Sequence, residues 1–363
     1  MKRHAPRRTR GFTLVELLVV ILIIGILVSL ASLAGFRAVQ SAHRARIVSE
    51  IDMLDQALQE YHDQHGGYPT NLGQYDAMSG NPPERLRQER LMAHLRLAFT
   101  GYVVPDLDGN GVRDYWDVRQ HVWSAYAAAY GVSQGSPPPQ HPGSGIVLYD
   151  IEYLDPAEAL VFWLGGLPAP IDVTYQPIGQ RLMPPFSHKL AGFGADPADP
   201  FSLSGSRRPR LFDFDQERLV DYDQDGWLEY LPPGGDPGRP PYVYFDAPTY
   251  SASMLCMNPG MMMPPDAFLT YPAPQGLPAQ IKYVGPNRPD WGFSQPYCAA
   301  NPAHSWMNAE KFQIVCAGLD GVFSVAPPTG LWSKVFPLGQ GYEQGDYDNL
   351  TNFTTSKLED SLP

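Results

Sequence analysis

The sequence has few cysteines and few charged side chains. Among 363 residues there are three cysteines, and charged residues make up 18% of the chain. Cys256, Cys298 and Cys316 all lie in the C-terminal third and lack the close cysteine or histidine spacing of a zinc site. Outside the cytoplasm, three such residues allow one disulfide with one thiol left over, and the sequence does not choose the pair.

Basic residues are scarcer than acidic ones, at 26 against 38, which gives a net charge of −12. Such a surface repels nucleic acid and attracts cations, and no basic, aromatic-interleaved patch offsets it. We therefore exclude nucleic-acid binding. The nine histidines form no HExxH pair, and no glycine-rich phosphate loop ends in lysine. We expect no catalytic residues and no enzymatic activity.

One long apolar run is present, over residues 12–33. A helix that crosses a bilayer needs roughly 20 apolar residues, whereas the apolar part of a secretory signal has about 7–15. Glu16 lies inside the run, and a carboxylate at membrane depth is costly enough to indicate a function. Basic residues before the run predict that the N-terminus stays in the cytoplasm; they are Lys2, Arg3, Arg7, Arg8 and Arg10.

A basic leader, the string GFTLVE at residues 11–16 and an unbroken apolar helix follow one another. This order resembles type IV pilins and the pseudopilins of type II secretion. The resemblance implies that prepilin peptidase cleaves between Gly11 and Phe12 and that Phe12 is then N-methylated. It also implies that Glu16 pairs with the N-terminal ammonium of a neighbouring subunit during filament assembly.

The resemblance implies a structural subunit of a type IV pilus or a type II secretion pseudopilus. Its partners would be the membrane, prepilin peptidase and other pilin or pseudopilin subunits. The chain would cross the inner membrane once, with its ectodomain in the periplasm or, in the filament, at the cell surface. The alternative is a minor pilin-like binding or adhesion module that presents a calcium-stabilised ectodomain.

The predicted organisation has four parts, with a possible subdivision of the last near residues 131–145. These parts are a leader (1–11), a transmembrane assembly helix (12–34), the ectodomain part of that helix (35–66) and a globular domain (67–363).

Apolar residues continue the helical spacing after the membrane run. They recur at steps of three and four, at Ile47, Ile51, Leu54, Leu58 and Tyr61. The charged residues between them, including Glu50, are assigned to the remaining, polar positions. A helix over residues 12–65 would be roughly 80 Å long, too long to bury in one globule. Its first half should therefore lie in lipid or against other subunits, and its second half should pack on the ectodomain.

Further elements support an α+β, pilin-like fold, in which the long N-terminal helix packs on an antiparallel β-sheet of a large, loop-rich ectodomain. Proline (38 residues) and glycine (34) are abundant, as expected for many loops. Asp155, Pro156 and Glu158 have the spacing of a helix N-cap, with the helix ending at Gly165. Other predicted helices are 84–99 and 118–130, and predicted strands are 242–245, 280–284 and 312–316.

Residues 106–117 match the twelve-residue calcium loop in the order of their oxygen ligands. Gly111 stands where the sharp turn of that loop needs glycine. The last ligand is aspartate rather than glutamate, which shortens its reach and lowers the expected affinity. The alternative is a surface turn rich in Asp and Gly. The proposed ligands are Asp106, Asp108, Asn110, the carbonyl of Val112, Asp114 and Asp117.

A second, incomplete copy of the loop begins at Asp221. Its ligands would be Asp221, Asp223, Asp225 and Glu229. Its twelfth position is Pro232, whose side chain cannot bind a metal. Near the C-terminus, Asp346 and Asp348 lie in a short segment that resembles the acidic calcium-binding loop of major pseudopilins. At all these sites calcium would have a structural role, because a bound ion orders loops that the core does not hold.

Overall fold

The computed structural model describes residues 14–70, 83–129, 131, 148–151, 154–170, 189–222, 225–234, 238–246, 262–263, 291, 294, 296–300, 305–323, 331–332 and 334–363. The chain divides into two compact units, Met1–Ala45 and Arg46–Pro363. Apart from Gly131, the predicted subdivision at 131–145 lies outside the described residues.

The four predicted helices are present with nearly the predicted bounds. They are α1 (Leu14–His65), α2 (Pro83–Ala98), α3 (Tyr115–Ala129) and α4 (Pro156–Gly165). The α4 N-terminus has the predicted capping box, because the Asp155 side chain accepts hydrogen bonds from the Ala157 and Glu158 amides while the Glu158 carboxylate accepts one from the Asp155 amide.

In the described ranges, ten short strands form four small sheets. The strands are β1 (Leu219–Val220), β2 (Glu229–Tyr230), β3 (Val243–Asp246), β4 (Met262–Met263), β5 (Cys298–Ala299), β6 (Ser305–Trp306), β7 (Phe312–Cys316), β8 (Leu331–Trp332), β9 (Val335–Phe336) and β10 (Leu350–Thr351). The central sheet has the antiparallel order β10-β7-β3. β1 pairs with β2 and β4 with β8, and in the order β6-β5-β9 the β5–β9 pair is parallel.

The strand predictions agree with the central sheet. The strand predicted at 312–316 is β7, and the one predicted at 242–245 is β3, displaced by one residue. The predicted strand at 280–284 lies outside the described residues. The long helix, the further helices and the antiparallel pairs together confirm the α+β class.

The central sheet separates two apolar clusters. Successive side chains of a strand point to opposite faces. Accordingly, Tyr244 and Ile314 belong to a large cluster that includes residues of α1, α2, α3 and α4, whereas Val243, Phe245 and Val315 belong to a smaller one on the other face. The predicted apolar face of α1 is confirmed, since its five members are 0–2% exposed: Ile47, Ile51, Leu54, Leu58 and Tyr61.

The cysteines separate into two chemical states. Cys298, on β5, is disulfide-bonded. Cys316, on β7, is a free thiol that is fully buried, and this burial raises its pKa to about 12. Cys256 lies outside the described residues. Cys316 is therefore the thiol left over from the pairing that the sequence left open.

Candidate functional site

The first part of α1 presents an exposed apolar surface. Between Leu14 and Leu30 the large apolar side chains are 45–79% exposed. The helix contains an 18-residue window of mean hydropathy 3.1, none of it buried, and is long and apolar enough to cross a membrane. The Ser29 and Ser32 hydroxyls donate to carbonyls of the preceding turn at 2.8 Å, so these polar groups are satisfied within the helix.

Glu16 lies in the first turn of α1. A carboxylate is favoured there because the amide groups of a helix N-terminus carry a partial positive charge. The residue thus stands at the N-terminal end of the apolar surface, where the resemblance to pilins locates an assembly contact. Gly11 and Phe12, the predicted processing residues, lie outside the described residues.

In the loop before α3, three predicted calcium ligands come together. One carboxylate oxygen from each of Asp106, Asp108 and Asp117 lies within 4.8 Å of the others. Asp106 and Asp108 are exposed, whereas Asp117 is buried. Among the described residues, no basic side chain forms an ion pair with any of the three. Gly111 has a φ of +80°, the left-handed conformation that the sharp turn of a calcium loop requires.

The remaining predicted ligands of this loop hold its backbone. The side-chain oxygen of Asn110 accepts the Val112 amide at 2.6 Å, and Val112 itself is exposed. Asp114 accepts the Trp116 amide at 2.9 Å, and the Asp114 amide donates to Asp117 at 3.1 Å. This reciprocal pattern caps the N-terminus of α3. Hydrogen bonds from its own backbone amides therefore fix the loop around these side-chain oxygens.

The second loop differs from the first because its described carboxylates are all buried. Asp221 accepts the Gly226 amide at 3.1 Å, and Asp225 accepts the Trp227 amide at 2.8 Å. Glu229 accepts the Tyr222 amide at 3.1 Å. Asp223 lies outside the described residues. In this loop, the buried carboxylates therefore stabilise the turn by accepting hydrogen bonds from its backbone amides.

In the C-terminal segment, the two predicted ligands have different partners. Asp346 is fully buried, and its Oδ1 atom lies 2.5 Å from the ammonium of Lys334. The Oδ2 atom of Asp348 accepts the amides of Leu319 and Asp320 at 2.6 and 3.1 Å. A lysine ammonium therefore already balances the charge of Asp346.

A buried polar cluster on α1 was missed at the sequence level. Glu50, assigned to the polar positions, is buried, and this assignment was wrong. Its carboxylate accepts a hydrogen bond from Arg218 Nη1 at 2.9 Å and forms an ion pair with the same guanidinium. The hydroxyls of Tyr230 and Tyr242 donate to it at 2.9 and 2.8 Å. Glu50 therefore connects α1 to β2 and to the segment before β3.

The pKa values in this cluster follow from burial and from the Glu50 charge. Burial lowers the pKa of Arg218, but the hydrogen bonds and charge of Glu50 outweigh it and raise the pKa above its usual value. Burial, followed by the charge of Glu50, raises the pKa of Tyr230. Arg218 thus stays protonated and Tyr230 stays neutral, as their hydrogen bonds to Glu50 require.

Comparison with known proteins gives matches that cover part of the chain. The prokaryotic N-terminal methylation motif matches residues 6–32. Curated relatives include the type II secretion system core protein G of Aeromonas hydrophila, 41% identical over 76 residues, which are 21% of this chain and 53% of the relative. The proteins of the same name from Klebsiella pneumoniae (38% over 76 residues, 21% and 54%) and Dickeya chrysanthemi (40% over 81 residues, 22% and 53%) are similar to the same degree.

The chain spans about half the length of the curated relatives it matches. No solved structure matches it. The exposed apolar part of α1, Glu16 in its first turn and the methylation motif agree with one another and with these relatives. Together they support a place for this chain in the pilin and pseudopilin family.

Proposed function

We propose that this chain is a structural subunit of a pseudopilus or a related pilus, anchored in the inner membrane and assembled through α1. The main support is the exposed apolar surface of Leu14 to Leu30, which requires lipid or neighbouring helices to cover it. The methylation motif and the similarity to core protein G support a pseudopilus in particular. The basic residues before α1 favour a cytoplasmic N-terminus.

In this proposal prepilin peptidase cleaves after Gly11, and the new amine at Phe12 binds Glu16 of the next subunit. Burying a lone carboxylate in hydrocarbon is costly, and pairing with an ammonium relieves most of that cost. The pair adds little net stability, but it favours one stagger between neighbouring helices, as buried polar groups do in other helical assemblies.

The experiment is replacement of Glu16 with alanine in cells that express the secretion or pilus machinery. We expect Glu16→Ala to leave cleavage intact and to abolish filaments, scored by electron microscopy and by crosslinking between subunits. Glu60→Ala, an exposed carboxylate on the second half of α1, is the matched control and should assemble normally. Normal filaments from Glu16→Ala would contradict the proposed contact.

We also propose that the loop of residues 106–117 binds a structural calcium ion. Three carboxylates within 4.8 Å of one another repel, and a divalent cation converts that repulsion into attraction. Asp106, Asp108 and Asp117 would hold the ion, and its binding would stabilise the loop before α3. Binding to the folded state alone would add about 2.7 kcal/mol of stability at a hundredfold excess over Kd.

Thermal unfolding of the full-length protein in detergent, with calcium or with EGTA, tests this site. We expect calcium to raise the Tm of the wild type and to have little effect on the double variant Asp106→Asn, Asp108→Asn. Asp213→Asn removes an exposed carboxylate elsewhere and should respond to calcium as the wild type does. An equal calcium shift in the double variant would exclude this loop as the site.

A further inference from the structure

The C-terminal segment is built around one buried ion pair. Asp346 lies in the 3-10 turn Gln344–Asp348, directly before β10. The Asp346 side chain is 0% exposed and that of Lys334 is 4% exposed, and Lys334 Nζ lies 2.5 Å from Asp346 Oδ1. Lys334 directly precedes β9, so the pair joins two segments of the chain inside the protein.

Neutral donors complete the surroundings of the Asp346 carboxylate. The Tyr297 hydroxyl donates to Oδ1 at 2.8 Å, and the Glu343 amide donates to Oδ2 at 2.9 Å. The Asn349 side-chain amide donates to the Tyr297 oxygen and to the Phe323 carbonyl, both at 3.0 Å. Both oxygens of Asp346 are therefore bonded to groups of the chain itself.

A metal ion does not fit beside this pair. A calcium ion bound at Asp346 Oδ1 would lie close to the ammonium already bonded to that atom, and like charges at such a distance repel strongly in a buried site. Displacing Lys334 would leave an ammonium buried without a counter-charge, which is costly. The Oδ2 atom of Asp348 accepts the amides of Leu319 and Asp320, so this carboxylate holds the segment that follows β7.

We propose that Lys334 takes the place that the resemblance to major pseudopilins assigns to calcium in this segment. The ammonium balances Asp346 and so fixes the turn that leads into β10. The Lys334–Asp346 pair thus acts as a clamp. Because β10 is an edge strand of the central sheet, paired with β7, this clamp holds the last strand in register without a metal ion. The inference concerns folding of the subunit and does not depend on its assembly into a filament.

Hydrogen exchange read by mass spectrometry on the full-length protein in detergent tests this clamp. In the double variant Asp106→Asn, Asp108→Asn, which lacks the proposed calcium loop, we expect peptides covering residues 344–351 to exchange equally fast in calcium and in EGTA. In Lys334→Met, which keeps the length of the side chain without its charge, these peptides should exchange about a hundredfold faster, as expected for breaking a buried ion pair. Lys311→Met, at an exposed position, is the control and should exchange as the wild type does.

A second variant separates loss of the clamp from general misfolding. Lys334→Met combined with Asp346→Asn removes both buried charges and keeps an acceptor for the Tyr297 hydroxyl and the Glu343 amide. It should restore much of the protection lost in Lys334→Met, because no charge is then buried without a partner. Faster exchange of residues 344–351 on adding EGTA to the double variant Asp106→Asn, Asp108→Asn would overturn the proposal. So would wild-type exchange rates in Lys334→Met.

Discussion

The two parts of α1 are both rich in apolar residues, yet they bury them differently. From Leu14 to Leu30 the large apolar side chains are exposed, whereas from Ile47 to Tyr61 those of one face are buried in the ectodomain core. Each part also carries one carboxylate in apolar surroundings, Glu16 in the first and Glu50 in the second. One helix thus contains an exposed apolar stretch and an apolar face that is buried by its own chain.

The comparison shows how a carboxylate is accommodated at an apolar surface. Glu50 is stabilised by Arg218 and by two tyrosine hydroxyls, all supplied by the ectodomain of the same chain. For Glu16 we propose the equivalent partner in another subunit, the N-terminal amine. In this proposal the paired charge at each position sets which surfaces meet and in what register, while apolar contact supplies most of the free energy.

The largest effect on stability is expected at Glu50. Glu50→Ala removes the buried counter-charge of Arg218, which keeps only the exposed Asp215 at 3.3 Å, and removes the acceptor of two tyrosine hydroxyls. We expect it to lower the free energy of unfolding by about 3–5 kcal/mol, measured by urea denaturation of the full-length protein in detergent. Glu60→Ala is the exposed control on the same helix, and equal urea midpoints for the two variants would contradict the role of Glu50.

A matched pair of leucine substitutions compares the two parts directly. Leu54→Ala removes a fully buried side chain and should cost about 2–5 kcal/mol in the ectodomain, because a cavity remains. Leu27→Ala removes a leucine that is 59% exposed and should leave ectodomain unfolding unchanged. The same urea denaturation checks both, and equal effects would show that the two parts are buried alike.

A smaller effect on stability is expected when the pH is lowered, because a buried histidine contacts the C-terminal end of α1. The Tyr61 hydroxyl lies 2.8 Å from His94 Nε2, and burial, with a contribution from His65, lowers the pKa of His94 to about 3. In the unfolded chain its pKa is about 6.5, so the unfolded state binds the proton first. The contribution of neutral His94 to the free energy of unfolding is therefore complete above pH 6.5 and is lost as the pH falls towards 3.

The check on this prediction is the Tm at neutral and acidic pH. His94→Gln keeps a hydrogen-bonding group beside Tyr61 and removes the titration, so its Tm should fall less on acidification than that of the wild type. A fall equal to that of the wild type would show that other groups account for the pH dependence.

The smallest effect is expected at Gly35, in the first unit. A Cβ atom at this position meets nothing within 4 Å, and alanine is favoured over glycine in a helix by about 1 kcal/mol. Gly35→Ala should therefore be accepted, with an unchanged urea midpoint for the ectodomain. Loss of filaments in this variant, with the midpoint unchanged, would identify Gly35 as a contact between subunits rather than a neutral position.

The extent of α1 and its buried face could be predicted, because both depend on local spacing. Glu50 shows where that reasoning failed: it lies three residues after Ile47 and four before Leu54, so its position belongs to the buried face. Its charge led to the opposite assignment. The partner that makes its burial possible, Arg218, is 168 residues away, and no local pattern indicates that contact.

The acidic segments show the same limit of prediction from local sequence. The order of carboxylates before α3 predicted that Asp106, Asp108 and Asp117 would converge, because the loop is short and its glycines fix the turn. At Asp346 the neighbouring sequence was equally acidic, but the decisive group was Lys334 before β9. A short motif shows which oxygens are near one another, and only the folded chain shows which cation meets them.

Mass spectrometry of the N-terminal peptide shows whether α1 is a processed assembly helix. For protein isolated from its native host, we predict a chain that begins at Phe12 with a methylated amine. A mature protein that still begins at Met1 and keeps Gly11 joined to Phe12 would contradict the claim.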